Sequence, residues 1–151
     1  MRLLIDGDGC PVVDIAVRFS RQLGLDCLIF CDTAHNIHRE GAFTFVVSQG
    51  RDSVDFAIAN ALEPGDLVIT QDYGLAALCL SRRAQAINQD GLVFTAHNID
   101  ALLLSRHTAA KVRRSGGRLR GAKKRAPAQD DAFAQQLLAL LAQDEKQEDT
   151  R

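Results

Sequence analysis

Leu3-Leu4-Ile5-Asp6-Gly7-Asp8-Gly9-Cys10-Pro11 is an apolar run that stops abruptly at two carboxylates and two glycines. Three apolar residues suit a buried strand, and Pro11 suits the first turn of a helix, where a missing N–H costs nothing. Asp6 and Asp8 therefore stand at the C-terminal end of a strand. Asp66-Leu67-Val68-Ile69-Thr70-Gln71-Asp72-Tyr73-Gly74 has the same form, an apolar strand that delivers an aspartate at its exit and runs into a helix. In open α/β sheets ligands bind at the carboxyl ends of the strands, where the strand order reverses. If the two strands are parallel neighbours, roughly 4.8 Å apart, Asp6 and Asp72 face one pocket.

Outward from these two stretches, strands and helices alternate. Val12, Val13, Ile15, Ala16, Phe19 and Leu23 recur at helical spacing and predict a helix from about Pro11 to Leu23, stopped by Gly24. Cys27 to Cys31 and Phe43 to Val47 read as strands, separated by a polar loop that holds Asp32, His35, Asn36 and His38. Val54, Ala57, Ile58, Ala61 and Leu62 mark a helix ended by Pro64-Gly65, and Leu67 to Thr70 is the next strand. After a helix carrying Leu75, Leu78, Cys79 and Leu80, two short strands are expected, Gln85 to Asn88 and Leu92 to Thr95. Asn98 is the expected N-cap of a helix running toward Lys111. Phe133, Leu137, Leu138, Leu140 and Leu141 predict a final helix at about 128–142 that docks back on a core of about residues 1–110. The pattern is that of a three-layer α/β fold with a mostly parallel central sheet.

With 151 residues, 46% of them apolar and 25% charged, the chain is expected to form one globular domain. The formal charge of -1 excludes a global attraction to nucleic acid or membrane. No apolar run approaches the ~20 residues of a membrane span, and the sequence opens with a strand rather than a signal segment, so a cytoplasmic protein with no membrane partner is expected. Cys27 and Cys31 lie in one strand, about 13 Å apart at ~3.3 Å per residue; with Cys10 and Cys79 they read as free thiols, not as a disulfide framework. The histidines show no zinc-ligand spacing.

The candidate chemistry is acidic. Hard divalent cations such as Mg²⁺ or Mn²⁺ favour carboxylate and water ligands, which Asp6, Asp8, Asp52, Asp55 and Asp72 can supply if they converge. Asp52 and Asp55 have a second reading: Asp52 or Ser53 as an N-cap and Asp55 as a first-turn charge that favours the helix dipole. Asp66 precedes its strand and is expected at the far end of the sheet. Thr70 is placed to hydrogen-bond a ligand carboxylate and fix its rotamer.

A second feature lies between Lys111 and Arg125, where Lys111, Arg113, Arg114, Arg118, Arg120, Lys123, Lys124 and Arg125 occur without an acid. Such a run at about 111–127 reads either as a solvated loop or as a track for a phosphate backbone. It contains no aromatic residue, so base stacking is not expected there.

The chain resembles the YaiI/YqxD family of uncharacterised bacterial proteins, which is grouped with PIN-like nuclease domains. The resemblance rests on Asp6-Gly7-Asp8-Gly9-Cys10-Pro11-Val12, where the family usually has alanines for these glycines, and on Asp52 to Asp55. It continues through Ile69-Thr70-Gln71-Asp72-Tyr73-Gly74-Leu75-Ala76, Asn98-Ile99-Asp100, and Gly116-Gly117 before the basic segment. It implies a PIN-like fold and a Mg²⁺- or Mn²⁺-dependent nuclease acting on RNA, with Asp6, Asp55 and Asp72 as metal ligands and Asp8 and Asp52 as auxiliaries. Two other functions fit parts of the same pattern. Asp6-x-Asp8 is similar to the opening motif of haloacid-dehalogenase-type phosphatases, with Asp6 as nucleophile, although Cys10 stands where a hydroxyl residue is usual. PIN domains usually carry a further acid just beyond the Thr-x-Asp motif, and none stands near Tyr73-Gly74-Leu75, which is the ground for a non-catalytic RNA- or protein-binding module.

Overall fold

The strands read as near-continuous apolar runs because most are covered on both faces. β1 (Leu3–Asp6), β2 (Cys27–Asp32), β3 (Phe43–Val47), β4 (Leu67–Ile69) and β5 (Gln85–Ile87) form one sheet in the order β3-β2-β1-β4-β5, with every pairing parallel. The computed structural model describes residues 1–116 and 124–150, without the side chains of 107–110 and 113. Five helices complete the described chain: α1 (Val13–Leu23), α2 (Ser53–Ala61), α3 (Tyr73–Ser81), α4 (Ile99–Arg114) and α5 (Pro127–Asp149).

Alternation along the strands divides the core in two. Leu3, Ile5, Cys27, Ile29, Leu67, Ile69 and Ile87 meet Val13, Ala16 and Val17 of α1 and Phe133, Leu137, Leu140 and Leu141 of α5. Leu4, Phe30, Val68 and Ala86 meet Val54 and Ile58 of α2, Leu75, Ala76 and Cys79 of α3, and Ile99 of α4. The result is a three-layer α/β fold. Crossovers on the two sides of β1 use opposite faces, as right-handed connections require when the chain first steps one way along the sheet and then the other. That reversal lies between β1 and β4, whose register pairs Leu3 with Leu67 and Ile5 with Ile69. Asp6 and Asp72 therefore leave adjacent strands at the same end.

Four expectations need correction. Leu92 to Thr95 is not a strand; it contributes one antiparallel bridge, Val93 to Ile87, and the Phe94 amide donates to the Ala86 carbonyl at 2.9 Å. The cause is a tight turn in which the Asn88 amide donates to the Leu92 carbonyl and Gly91 sits at φ 87°, folding the chain back over the outer edge of β5. Asn98 stands just before α4 but does not cap it with its side chain: Asn98 Oδ1 accepts from the Thr95 amide at 2.9 Å and Thr95 Oγ1 accepts from the Asn98 amide at 3.3 Å, a reciprocal pair that fixes the turn ahead of the helix. α1 begins at Val13, because the Cys10 amide bonds the Gly7 carbonyl at 3.1 Å and holds the segment before it in a turn. α5 runs to Asp149, well past the expected end, since its polar tail continues the same helical hydrogen bonding in solvent.

Candidate active site

The switch point between β1 and β4 carries the acids. Asp6 ends β1, and its Oδ2 accepts a 2.8 Å hydrogen bond from Thr70 Oγ1, just beyond β4. The Asp72 amide in turn donates to Thr70 Oγ1 at 3.0 Å, so one buried hydroxyl ties together the backbone and side chain of the two strand exits. Gln71 Nε2 adds a 3.0 Å bond to the Gly9 carbonyl. Asp72 is also the N-cap of α3, where its Oδ1 accepts from the Leu75 amide at 3.0 Å. Its carboxylate is thereby held by the start of a helix that favours negative charge.

Two adjoining pockets share the walls Asp6, Asp8 and Asp72. One, of about 230 Å³, is completed by Gly50, Asp52, Ser53, Val54 and Asp55. The other, of about 320 Å³, is completed by Gly9, Gln71, Tyr73 and Arg106. The five aspartates expected to converge thus line one cleft. Burial pushes Asp6 up to about 6, against the Thr70 hydrogen bond and with the charges of Asp72 and Asp8 adding to the rise. Asp55 is pushed up to about 7, first by burial and then by the charge of Asp72 and a hydrogen bond with it. Carboxyls crowded in this way hold protons near neutrality in the absence of a cation. The donor set is all oxygen, the kind that hard divalent cations take; among the described residues, however, the group of three whose ligand atoms lie within 4.8 Å of one another is Asp8, Asp32 and His35, and not Asp6, Asp55 and Asp72.

Asp52 does not act as a side-chain cap. It occupies the N-cap position of α2 with φ 63°, and its carboxylate makes no capping bond. A left-handed non-glycine residue costs of order 1 kcal/mol, and such strain collects where a side chain has to be aimed.

Asp8 faces away from this acidic set as well as toward it. Its Oδ1 accepts from the Asp32 amide at 3.1 Å and lies 3.2 Å from His35 Nδ1, which is 2.7 Å from Asp32 Oδ1. The Asp32 hydrogen bond and the Asp8 charge raise the His35 pKa, and His35 holds Asp32 below the ordinary carboxylate range. Asp32 was legible as a third acid at a strand exit, since β2 is parallel to β1; His35 carried no spacing that marked it. Arg106 on α4, 3.6 Å from Asp72 Oδ1, had no sequence signal either.

Asp66 lies at the opposite end of the sheet, with Arg2 Nε and Nη2 on its two oxygens at 3.0 and 2.6 Å. Cys10 is an inert thiol, pushed up to about 11 by burial. In the basic segment, Lys111 and Arg114 are exposed on α4 and Lys124 is exposed before α5. Arg125 is engaged within the fold: Nη1 bonds Asp90 Oδ1 at 2.8 Å, Nε bonds Asp130 Oδ1 at 2.7 Å and Nη2 bonds the Gln89 carbonyl at 2.6 Å. Its guanidinium joins the turn after β5 to the start of α5 rather than standing free for phosphate. Arg118, Arg120, Lys123 and the Arg113 side chain lie outside the described residues.

A model of the uncharacterised YaiI/YqxD family matches residues 4–143. A "UPF0178 protein" of Exiguobacterium sibiricum is 53% identical over 143 residues, covering 95% of this chain and 98% of its own. A "UPF0178 protein" of Ruminiclostridium cellulolyticum is 40% identical over 141 residues, covering 93% and 92%. Another, of Natranaerobius thermophilus, is 40% identical over 143 residues, covering 95% and 97%. No solved structure matches the chain.

Proposed function

The chain belongs to the YaiI/YqxD family, and on the geometry of its own residues we propose that it is a PIN-like, Mg²⁺- or Mn²⁺-dependent nuclease that hydrolyses phosphodiester bonds in RNA. The observation that carries this reading is the convergence of Asp6, Asp55 and Asp72 on one cleft at the switch point, with two of the three carboxyls raised toward neutral pH. The bound cation would activate water and neutralise charge on the phosphate. Asp6, Asp55 and Asp72 would hold it, Thr70 fixes the rotamer of Asp6, and Asp8 and Asp52 line the space where water would be oriented. Exposed Lys111, Arg114 and Lys124 would supply phosphate contacts along the strand. No helix among the described residues is long and apolar enough to cross a membrane, and all four cysteines are free, which supports a cytoplasmic location.

Calorimetric titration with Mn²⁺, beside cleavage of a labelled single-stranded RNA, tests the reading. Wild type should bind and cleave, and Asp6→Asn and Asp72→Asn should each abolish both while keeping a native circular dichroism spectrum. If wild type bound no divalent cation in the millimolar range, the nuclease reading would fail. RNA binding that persists in chelator and survives Asp72→Asn would favour a non-catalytic module, and a trapped aspartyl-phosphate on Asp6 would favour a phosphatase.

A further inference from the structure

The two pockets that share Asp6, Asp8 and Asp72 differ in their remaining walls. The 230 Å³ pocket adds two more carboxylates, Asp52 and Asp55. The 320 Å³ pocket adds no further acid; it adds Gln71, Tyr73 and the guanidinium of Arg106. A phosphodiester brings its own negative charge into a cleft of aspartates. Unless a cation stands on the side away from the metal ligands, repulsion opposes its entry.

We propose that the 320 Å³ pocket is the phosphate subsite of this cleft and that Arg106 is the residue that holds the phosphate there. Arg106 projects from α4, beyond the two strand exits that bear the acids, and its Nη1 lies 3.6 Å from Asp72 Oδ1. That distance is an ion pair and not a close hydrogen bond, and the Arg106 side chain is 59% exposed, so the guanidinium is free to turn. It serves as the counter-charge of Asp72. When a divalent cation takes up the negative charge of the acids, that attraction weakens, and the planar donor fork is left beside the pocket with no better acceptor than a non-bridging phosphate oxygen pair. The division is between neighbours: acids on one side for the cation, one arginine on the other for the anion. The inference rests on the nuclease reading for the first half of that division, while the anion half has its own readout in phosphate binding.

The test uses the full chain with Arg106→Ala and Arg106→Lys, and three readouts: Mn²⁺ affinity, binding of inorganic phosphate to the Mg²⁺-saturated protein by calorimetry, and steady-state cleavage of single-stranded RNA. Arg106→Ala should bind Mn²⁺ at least as tightly as wild type, because a competing cation is gone. It should weaken phosphate binding tenfold or more and lower kcat/KM by on the order of 10²–10³. Arg106→Lys should fall between, a point charge replacing the fork. Phosphate binding equal in wild type and Arg106→Ala, or absent from both, overturns the proposal. So does a loss of Mn²⁺ affinity that parallels the loss of phosphate, since Arg106 would then only position Asp72. Arg106-dependent phosphate binding without RNA cleavage by wild type would uphold the subsite and overturn the nuclease reading instead.

Discussion

Asp55 shows how a single side chain can be ordinary in sequence and unusual in place. In the first turn of α2 it is where a helix dipole welcomes a carboxylate, yet burial and the nearby Asp72 push it up to about 7. With Asp6 at about 6, the folded chain holds more protons than the unfolded chain between the ordinary carboxylate range and about pH 7. Stability of the metal-free protein is then fully present below that window and falls as pH rises through it. Thermal melts should show a midpoint that drops from pH 5 to pH 8. Asp55→Asn should remove much of that drop and raise the midpoint at pH 8 by ~2–4 °C, about 1 kcal/mol at this chain length after solvent screening is allowed for. A midpoint that climbs with pH in the metal-free wild type would contradict the crowding. Saturating Mn²⁺ should flatten the profile, because ligation needs the deprotonated carboxylates.

At the scale of elements, the turn that follows β5 decides more than its length suggests. Residues 88–94 fold back on β5, cover its outer edge and send Phe94 into the core between the sheet and α3. Gly91 at φ 87° permits this, and a Cβ there would stand 2.7 Å from the carbonyl oxygen of Ala132 on α5. Gly91→Ala therefore combines backbone strain with a contact against a rigid helix, at a cost of about 2–4 kcal/mol. Urea unfolding should show a lower midpoint with an unchanged slope. The expectation of a strand at Leu92 to Thr95 came from apolar composition alone, which does not distinguish a full strand from a one-bridge edge cover.

The whole molecule gathers the cleft aspartates at one end of a sheet whose packing is secured elsewhere. α5 supplies Phe133, Leu137, Leu140 and Leu141 to the core beneath β1 and β4, the strands that present Asp6 and Asp72. Leu137 is fully buried, so Leu137→Ala should cost about 2–5 kcal/mol. That is a large part of a typical total of ~5–15 kcal/mol. Thermal melting should show it directly, and a change within 0.5 kcal/mol would mean that α5 adds little to this layer.

Read alone, the residues from Leu3 to Pro11 and from Leu67 to Gly74 already implied a parallel α/β sheet with Asp6 and Asp72 at its carboxyl end, because strand burial, helix entry and side-chain period are encoded within windows of a few residues. The placing of Asp55 in a first turn and the far-end position of Asp66 were legible on the same local grounds. Strand order was not local. Only the arrangement β3-β2-β1-β4-β5 sets Asp32 and His35 beside Asp8, brings Arg106 of α4 to Asp72, and leaves Asp52 aimed into the cleft instead of capping its helix. Those contacts join residues from separate elements, so their energies depend on which surfaces the packed layers bring together, and no pattern along the chain records that.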